Sequence, residues 1–492
     1  MDFDHTLLHS DLSGLEVLKN FSFESKMLIS QQFSSRIMNG SEVDMSLAYS
    51  ENIMPWELEI FTAYSVIFDD KDAFEKIDYE TFARTITYIR NYWDTKWNEV
   101  EEDGTYPHAF MMRATIQQIP VQGLILQKLY RYNYIFNFQN DILNMKNVFS
   151  SKFGTNYLDF EFTAFATFLL LSKVSNDKTN PYLRQKALCK LFSNKPVMSV
   201  LCIDKTNYVN EMRKLYKDDL IKLYYGLKAH YWWPFIEGTD SIYIPSPFLV
   251  INAVTDSMLN RLTLGDDKLR RQIGKEILEQ YLFDIYSQVS TVSWASKEIE
   301  YYVGRNLLLS PDVIIAENEY CCFFDTKEMV PSLKIRELDS EEIQNDIEIY
   351  AEAVKQIYTQ IINCIKGHFK LDKEYEKNKI FGVIVMLEDI ALSRQEMYDK
   401  SIELIRAQYS ELNEEEKQYI RSHIKIVSLR QIELMVLQNS SFLPCLLKQE
   451  NDPDHWNDLN FVIPTTDNGL IDSYQLYCDT MKKNFYSFVK KL

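Results

Sequence analysis

SPDVIIAENEYCCFFDTKE, residues 310–328, consists of two short apolar runs around a polar centre. Runs of this length rich in Val, Ile and Phe read as strands, and Asn318-Glu319 between them as a two-residue hairpin turn. With that turn Glu317 pairs with Tyr320, and counting outward sets Asp312 directly opposite Asp325. Alternation puts Asp325 and Lys327 on one face, Phe324 and Thr326 on the other. Directly opposed residues have Cβ atoms ~4.5–5.5 Å apart, so two carboxylates there repel, and burial raises the pKa of at least one. A divalent cation taking an oxygen from each removes the conflict. The register therefore costs stability or holds a metal. Lys327 lies one step along the same face, where its ammonium can orient a water and offset charge growing on a phosphate. The plainer reading is a hairpin with ordinary solvated charges, and the rest of the chain has to separate the two.

A chain of 492 residues has room for two or three domains. Its 13 Gly and 13 Pro are together under half of the ~12% of average usage, which points to long helices. A net charge of −18 argues against coating nucleic acid through bulk electrostatics but leaves room for one basic groove. Seven cysteines, an odd number without CxxC spacing, read as reduced thiols. The stretch MDFDHTLLHSD has no basic-then-apolar leader pattern, and FTAFATFLLLS (162–172) is too short to span a bilayer. A soluble, cytoplasmic protein with no membrane partner is expected.

Helical spacing dominates residues 50–235, in PWELEIFTAYSVIF, YETFARTITYIRNYW, IFNFQNDILNMKNVF, FEFTAFATFLLLSKV and KDDLIKLYYGLKAHYW. The first forty-odd residues are more polar and read as a mobile lead-in. EGTDSIYIPSPF (237–248) breaks the pattern and marks the boundary between a helical region, 1–240, and a second domain, 241–492. There, FLVINAVTDSMLNRL and RRQIGKEILEQYLFDIYSQV read as helices, KEIEYYV (297–303) as a strand, and the hairpin comes next. A long helix (339–365), a buried strand KIFGVIVML (379–387), a helix, a strand HIKIVSL (423–429) and a last helix complete the order. The whole is a mixed fold, an all-α N-terminal region followed by an α/β domain.

That order, with Pro311-Asp312 and Asp325-Thr326-Lys327, resembles the PD-(D/E)XK (restriction-endonuclease-like) nuclease superfamily over roughly residues 250–440. The superfamily's first helix carries a metal-binding Glu. Glu279 in GKEILEQYL is similar to its Gly-x-x-x-Glu start, with one residue more between Gly and Glu here; Glu276 and, on the first strand, Glu300 are the alternatives. The resemblance implies a mixed β-sheet flanked by helices, with Asp312 and Asp325 as metal ligands and Glu279 completing the site. It also implies the Thr326 carbonyl as a further ligand and Lys327 as the residue that positions water. Mg²⁺, with Mn²⁺ as substitute, suits such oxygen ligands. Arg270, Arg271 and Lys275 are natural phosphate contacts. The expected function is a metal-dependent endonuclease, DNA favoured over RNA, with a layout like that of microbial defence against foreign DNA. The helical region would recognise substrate or a protein partner, and a homodimer is compatible with cutting both strands. The alternative is a catalytically inactive nuclease fold serving as a binding or regulatory scaffold.

Other strings point elsewhere only weakly. MDFDHTLL imitates a phosphatase DxDxT start, which must end a buried strand, and only Met1 precedes Asp2. Cys321-Cys322 face opposite sides of one strand and read as packing. YWWPF (231–235) reads as an aromatic plug rather than a base stack. Neither a Walker loop nor GxGxxG occurs.

Overall fold

A computed structural model describes residues 12–103, 123–172, 181–217, 223–224, 226–239, 241–328, 340–388, 394–409, 412–448 and 468–492. The chain divides into two units. One holds the residues up to Asn137 with Met145–Leu262 and Met481–Leu492; the other holds Phe138–Asn144 and Thr263–Thr480. The fold is mixed α and β, and no described helix is long and apolar enough to cross a membrane.

The first unit is built on α1 (Phe23–Arg36), α2 (Pro55–Ile67), α3 (Tyr79–Asp103), α4 (Ile125–Asn137) and α5 (Tyr157–Leu171). Pro55 opens α2 at the first helical position, where its missing N–H costs nothing. Four expectations for this region change. The polar lead-in is not loose: Leu15, Leu18, Met27 and Phe33 are all buried. The region is not all-α, because β1 (Cys202–Asp204) pairs in parallel with β2 (Phe235–Glu237), which pairs antiparallel with β3 (Ile242–Tyr243). Between β1 and β2 runs α6 (Lys205–Tyr216). These strands are two or three residues long, too short to leave a periodic trace, and the stretch read as a domain break lies among them. The helix expected over 135–149 is interrupted, since Asn140 Oδ1 accepts from the N–H groups of Ile142 and Leu143 at 2.9 and 2.7 Å and turns the chain. Of the helix expected over 217–232, residues 218–222 and 225 lie outside the description, and Ala229–Tyr231 forms a 3₁₀ turn. Residues 1–11, with the DxDxT-like string, also lie outside it. Tyr231 is buried and its hydroxyl bonds Asp256, as the plug reading of YWWPF requires.

The second unit begins with α7 (Asp267–Gln272), a π-helical turn (Ile273–Leu278) and α8 (Glu279–Tyr286) in unbroken succession. Then come β4 (Val292–Lys297), β5 (Glu300–Val303), β6 (Asn306–Leu309), β7 (Val313–Glu317), β8 (Tyr320–Lys327) and α9 (Ser340–Ile365). They are followed by β9 (Ile380–Met386), α10 (Arg394–Gln408), α11 (Glu414–His423), β10 (Ile424–Ser428) and α12 (Leu429–Val436). Five strands form one sheet in the order β10-β9-β8-β7-β4; β4, β7 and β8 are antiparallel, and β9 and β10 continue parallel to β8. A parallel step needs a crossover, which α9 supplies. Its Ile347, Tyr350, Ala351, Val354, Ile357 and Ile361 recur every three or four residues and are buried. The fit is close at Gly382 of β9, where a Cβ would meet Ile357 Cγ2 at 2.2 Å. A larger residue there would push α9 off the sheet.

The strand expected at 297–303 is corrected. The sheet's antiparallel edge is Val292–Lys297, and Glu300–Val303 pairs with Asn306–Leu309 as a separate two-stranded ribbon. KEIEYYV alternates more cleanly than VSWASK, but a four-residue turn-back at Gly304 (φ 63°) closes it onto the next strand instead. All seven cysteines are free thiols, and Cys321 and Cys322 are both buried in β8.

Candidate active site

The hairpin has the register its turn dictates. Asn318 takes a left-handed conformation (φ 55°), Glu317 pairs with Tyr320, and Val313 pairs with Phe324. The next step outward faces Asp312, just before β7, towards Asp325. Asp312 is held from both sides. Ser310 exchanges two bonds with Ile299, accepting from its N–H at 2.8 Å and donating its own N–H to the carbonyl at 3.0 Å. Pro311 keeps the preceding residue extended. Across the hairpin, Asp312 Oδ2 accepts from the Thr326 N–H at 2.7 Å and the Thr326 hydroxyl at 3.1 Å. Lys327 O accepts from Leu387 N–H on the β9 side, so the neighbouring peptide groups of Thr326 turn the other way, towards Asp312.

Asp325 is 2% exposed. Its Oδ2 lies 2.5 Å from Lys327 Nζ, so that ammonium is its close partner. Burial, then the charge of Asp325, pushes the Asp312 carboxyl up to about 7, against the Thr326 bonds and the charge of Lys327. Burial raises Asp325 as well, with Lys327 opposing. Burial works to lower the Lys327 ammonium, but Asp325 and Asp312 outweigh it and hold it above the usual lysine range.

Glu279 reaches this cluster from α8. Burial, then Asp312 and Glu298, pushes its carboxyl up to about 9, with Asp325 adding to the effect and Lys275 working against it. The extra residue between Gly274 and Glu279 has a structural counterpart. The π-turn Ile273–Leu278 closes i→i+5 and so takes in one residue more than an α-turn. Gly274 leaves room beside it for Glu328, whose Oε2 would lie 2.7 Å from an added Cβ.

The other candidates go elsewhere. Glu276 accepts from Asn140 Nδ2 at 2.8 Å, and Glu300 is exposed on the outlying ribbon. Arg270 lines the cleft that opens at Lys327, Arg271 is exposed with its Nε donating to Asp267 O at 3.3 Å, and Lys275 is exposed on the π-turn. Two residues escaped the sequence reading. Glu298 sits in the short link between β4 and β5 and acts on Glu279; burial, with Glu300 adding and Lys275 opposing, raises its own carboxyl. Ser310 is visible only as the residue before Pro-Asp.

The donors are oxygens, and three of their carboxylates are short of positive charge: chemistry that fits a hard divalent cation. Among the described residues no group of three or more His, Cys, Asp or Glu side chains is arranged to hold a metal ion as it stands. Asp325 is turned onto Lys327 and Asp312 onto Thr326. Compared with protein families, characterised proteins and solved structures, the chain gives no match.

Proposed function

We propose that this chain is a divalent-metal-dependent nuclease of the PD-(D/E)XK type, acting on DNA in preference to RNA, with its site in the second unit. The observation that carries the reading is the grouping at the hairpin end of Asp312, held by Thr326, with the buried Asp325 on Lys327, and of a half-buried Glu279 on α8 whose charge acts on theirs. The sheet order supports it, with an antiparallel meander continued by a parallel strand through a helical crossover.

Asp312, Asp325, Glu279 and the Thr326 carbonyl would hold Mg²⁺ or Mn²⁺, which supplies Lewis acidity towards a phosphate oxygen and eases deprotonation of water. The chain's own residues do the rest. Lys327 directs a water at phosphorus and offsets the negative charge that gathers on the phosphate. The water's oxygen bonds to phosphorus, the P–O bond to the leaving oxygen breaks, and that oxygen takes a proton from solvent. The three carboxylates would be ionised when they hold the cation, and the proton the water gives up passes to solvent. Arg270, at the mouth of the cleft, is placed to meet an adjoining phosphate.

Purified protein incubated with DNA or RNA and Mg²⁺ or Mn²⁺ should cleave, and Asp325→Ala or Lys327→Ala should remove cleavage while circular dichroism stays unchanged. Intact substrates under all four conditions would leave the scaffold reading in its place.

A further inference from the structure

A cleft of roughly 1220 Å³ runs from Lys327 and Arg270 along α9 to the β5–β6 ribbon. Its walls are unlike a duplex-binding surface. Duplex affinity comes mainly from Lys and Arg neutralising phosphates. Here Glu328, Asp346, Glu348 and Glu352 offset Arg270, Lys327 and Lys355, and Lys355 is itself paired with Glu352 at 2.9 Å. What remains is amide and apolar surface: Asn345, Gln356, Gln360 and Asn363 facing Leu307 and Leu309. The ribbon leaves Tyr302, Leu307 and Leu309 exposed, at 64%, 48% and 41%. Amides can bond a base edge or a phosphate, but apolar side chains have only bases to pack against.

One group singles out a ligand. Gln360 is 4% exposed, and its Nε2 donates to Leu309 O at 3.2 Å. A carbonyl can only accept, so the amide orientation is settled by chemistry. Oε1 is then left buried on the cleft wall with no donor. A buried acceptor without a partner is costly, and the N–H edge of a base would satisfy it.

We propose that this cleft is a base pocket: the enzyme acts on an unpaired strand whose base enters along α9 while its phosphodiester lies at Asp312, Asp325 and Lys327. The proposal rests on the nuclease reading for its chemistry but not for its binding. The test uses the full chain. Binding of fluorescent single strands of DNA and RNA, their duplexes, and an abasic single strand is measured by anisotropy without metal, then cleavage of the same substrates with Mn²⁺. Single strands should bind about tenfold tighter than duplex and than the abasic strand. Gln360→Leu should lose that advantage over the abasic strand while leaving abasic binding unchanged, which a merely structural role for Gln360 would not do. Whether DNA or RNA binds better names the sugar. Duplex bound or cut as well as single strand, or Gln360→Leu weakening base-bearing and abasic strands alike, overturns the base pocket. Selective single-strand binding without any cleavage sustains the pocket and removes the nuclease reading.

Discussion

In the helical unit Asp69 is shared between Lys26, at 3.0 Å, and Lys205, while Glu57 grips Arg90 through a contact of 2.6 Å. At the end of the hairpin three carboxylates crowd towards one lysine, and their pKa values climb instead. Both clusters bury charge, and both incur the same desolvation cost. In the first each of these charges touches an opposite one, a single carboxylate serving two lysines. In the second, among the described residues, Lys327 and Lys275 face three carboxylates and do not offset their burial. A fold gains nothing from such a deficit, which is why the proposed function is placed at the second cluster and not the first.

The contrast can be broken in several ways. Asp69→Ala should cost about 3–5 kcal/mol in denaturant melts, because Lys26 is left buried without its partner; a change under about 1 kcal/mol would show that the first cluster is ornamental. Mn²⁺ at a hundredfold excess over its Kd should stabilise the chain by about 2.7 kcal/mol in thermal melts, and Asp312→Ala should abolish the shift. Glu279→Gln should move stability the other way from Asp69→Ala, raising the metal-free Tm by about 2–4 °C near pH 8, since the fold no longer has to hold a proton on a carboxyl that the unfolded chain would ionise. A fall in Tm would mean Glu279 is held by contacts rather than crowded.

The pH response should split along the same line. The folded chain keeps protons on Asp312 up to about 7 and on Glu279 up to about 9, whereas unfolded carboxylates release them near about 4. Native protein binds more protons across that window, so metal-free stability falls as pH rises through it, and Mn²⁺ should flatten the slope. His230 in the helical unit gives the opposite arm. Burial, aided by Lys228, pushes it down to about 3, with the Tyr208 hydroxyl 2.7 Å from its Nδ1. The unfolded imidazole takes a proton from about 6.5 downward, so stability falls as pH drops from there towards 3. His230→Phe should flatten that arm in melts across pH.

How much could be read in advance depends on how each element is encoded. A two-residue turn admits one register, so the opposition of Asp312 and Asp325 was legible from SPDVIIAENEYCCFFDTKE. The buried strands β9 and β10 announce themselves as unbroken apolar runs, and α9 by its spacing. The edge strand VSWASK is half exposed and lacks alternation, so the neighbouring KEIEYYV took its place. Glu298 gave no local signal, because its proximity to Glu279 exists only once β4 and α8 are placed. The spacing that points to Glu279 holds one residue too many, and the π-turn takes that residue in.

That surplus has a consequence for what the helix tolerates. Each residue added to an α-helix rotates every later side chain by ~100° about the axis, so the bearing of Glu279 is set by how many residues the π-turn holds rather than by which ones. Exchanges at 275 and 276 should leave that bearing in place, whereas removing a single residue would swing the acid away from its companions. Among relatives, this stretch should drift in identity and stay constant in length.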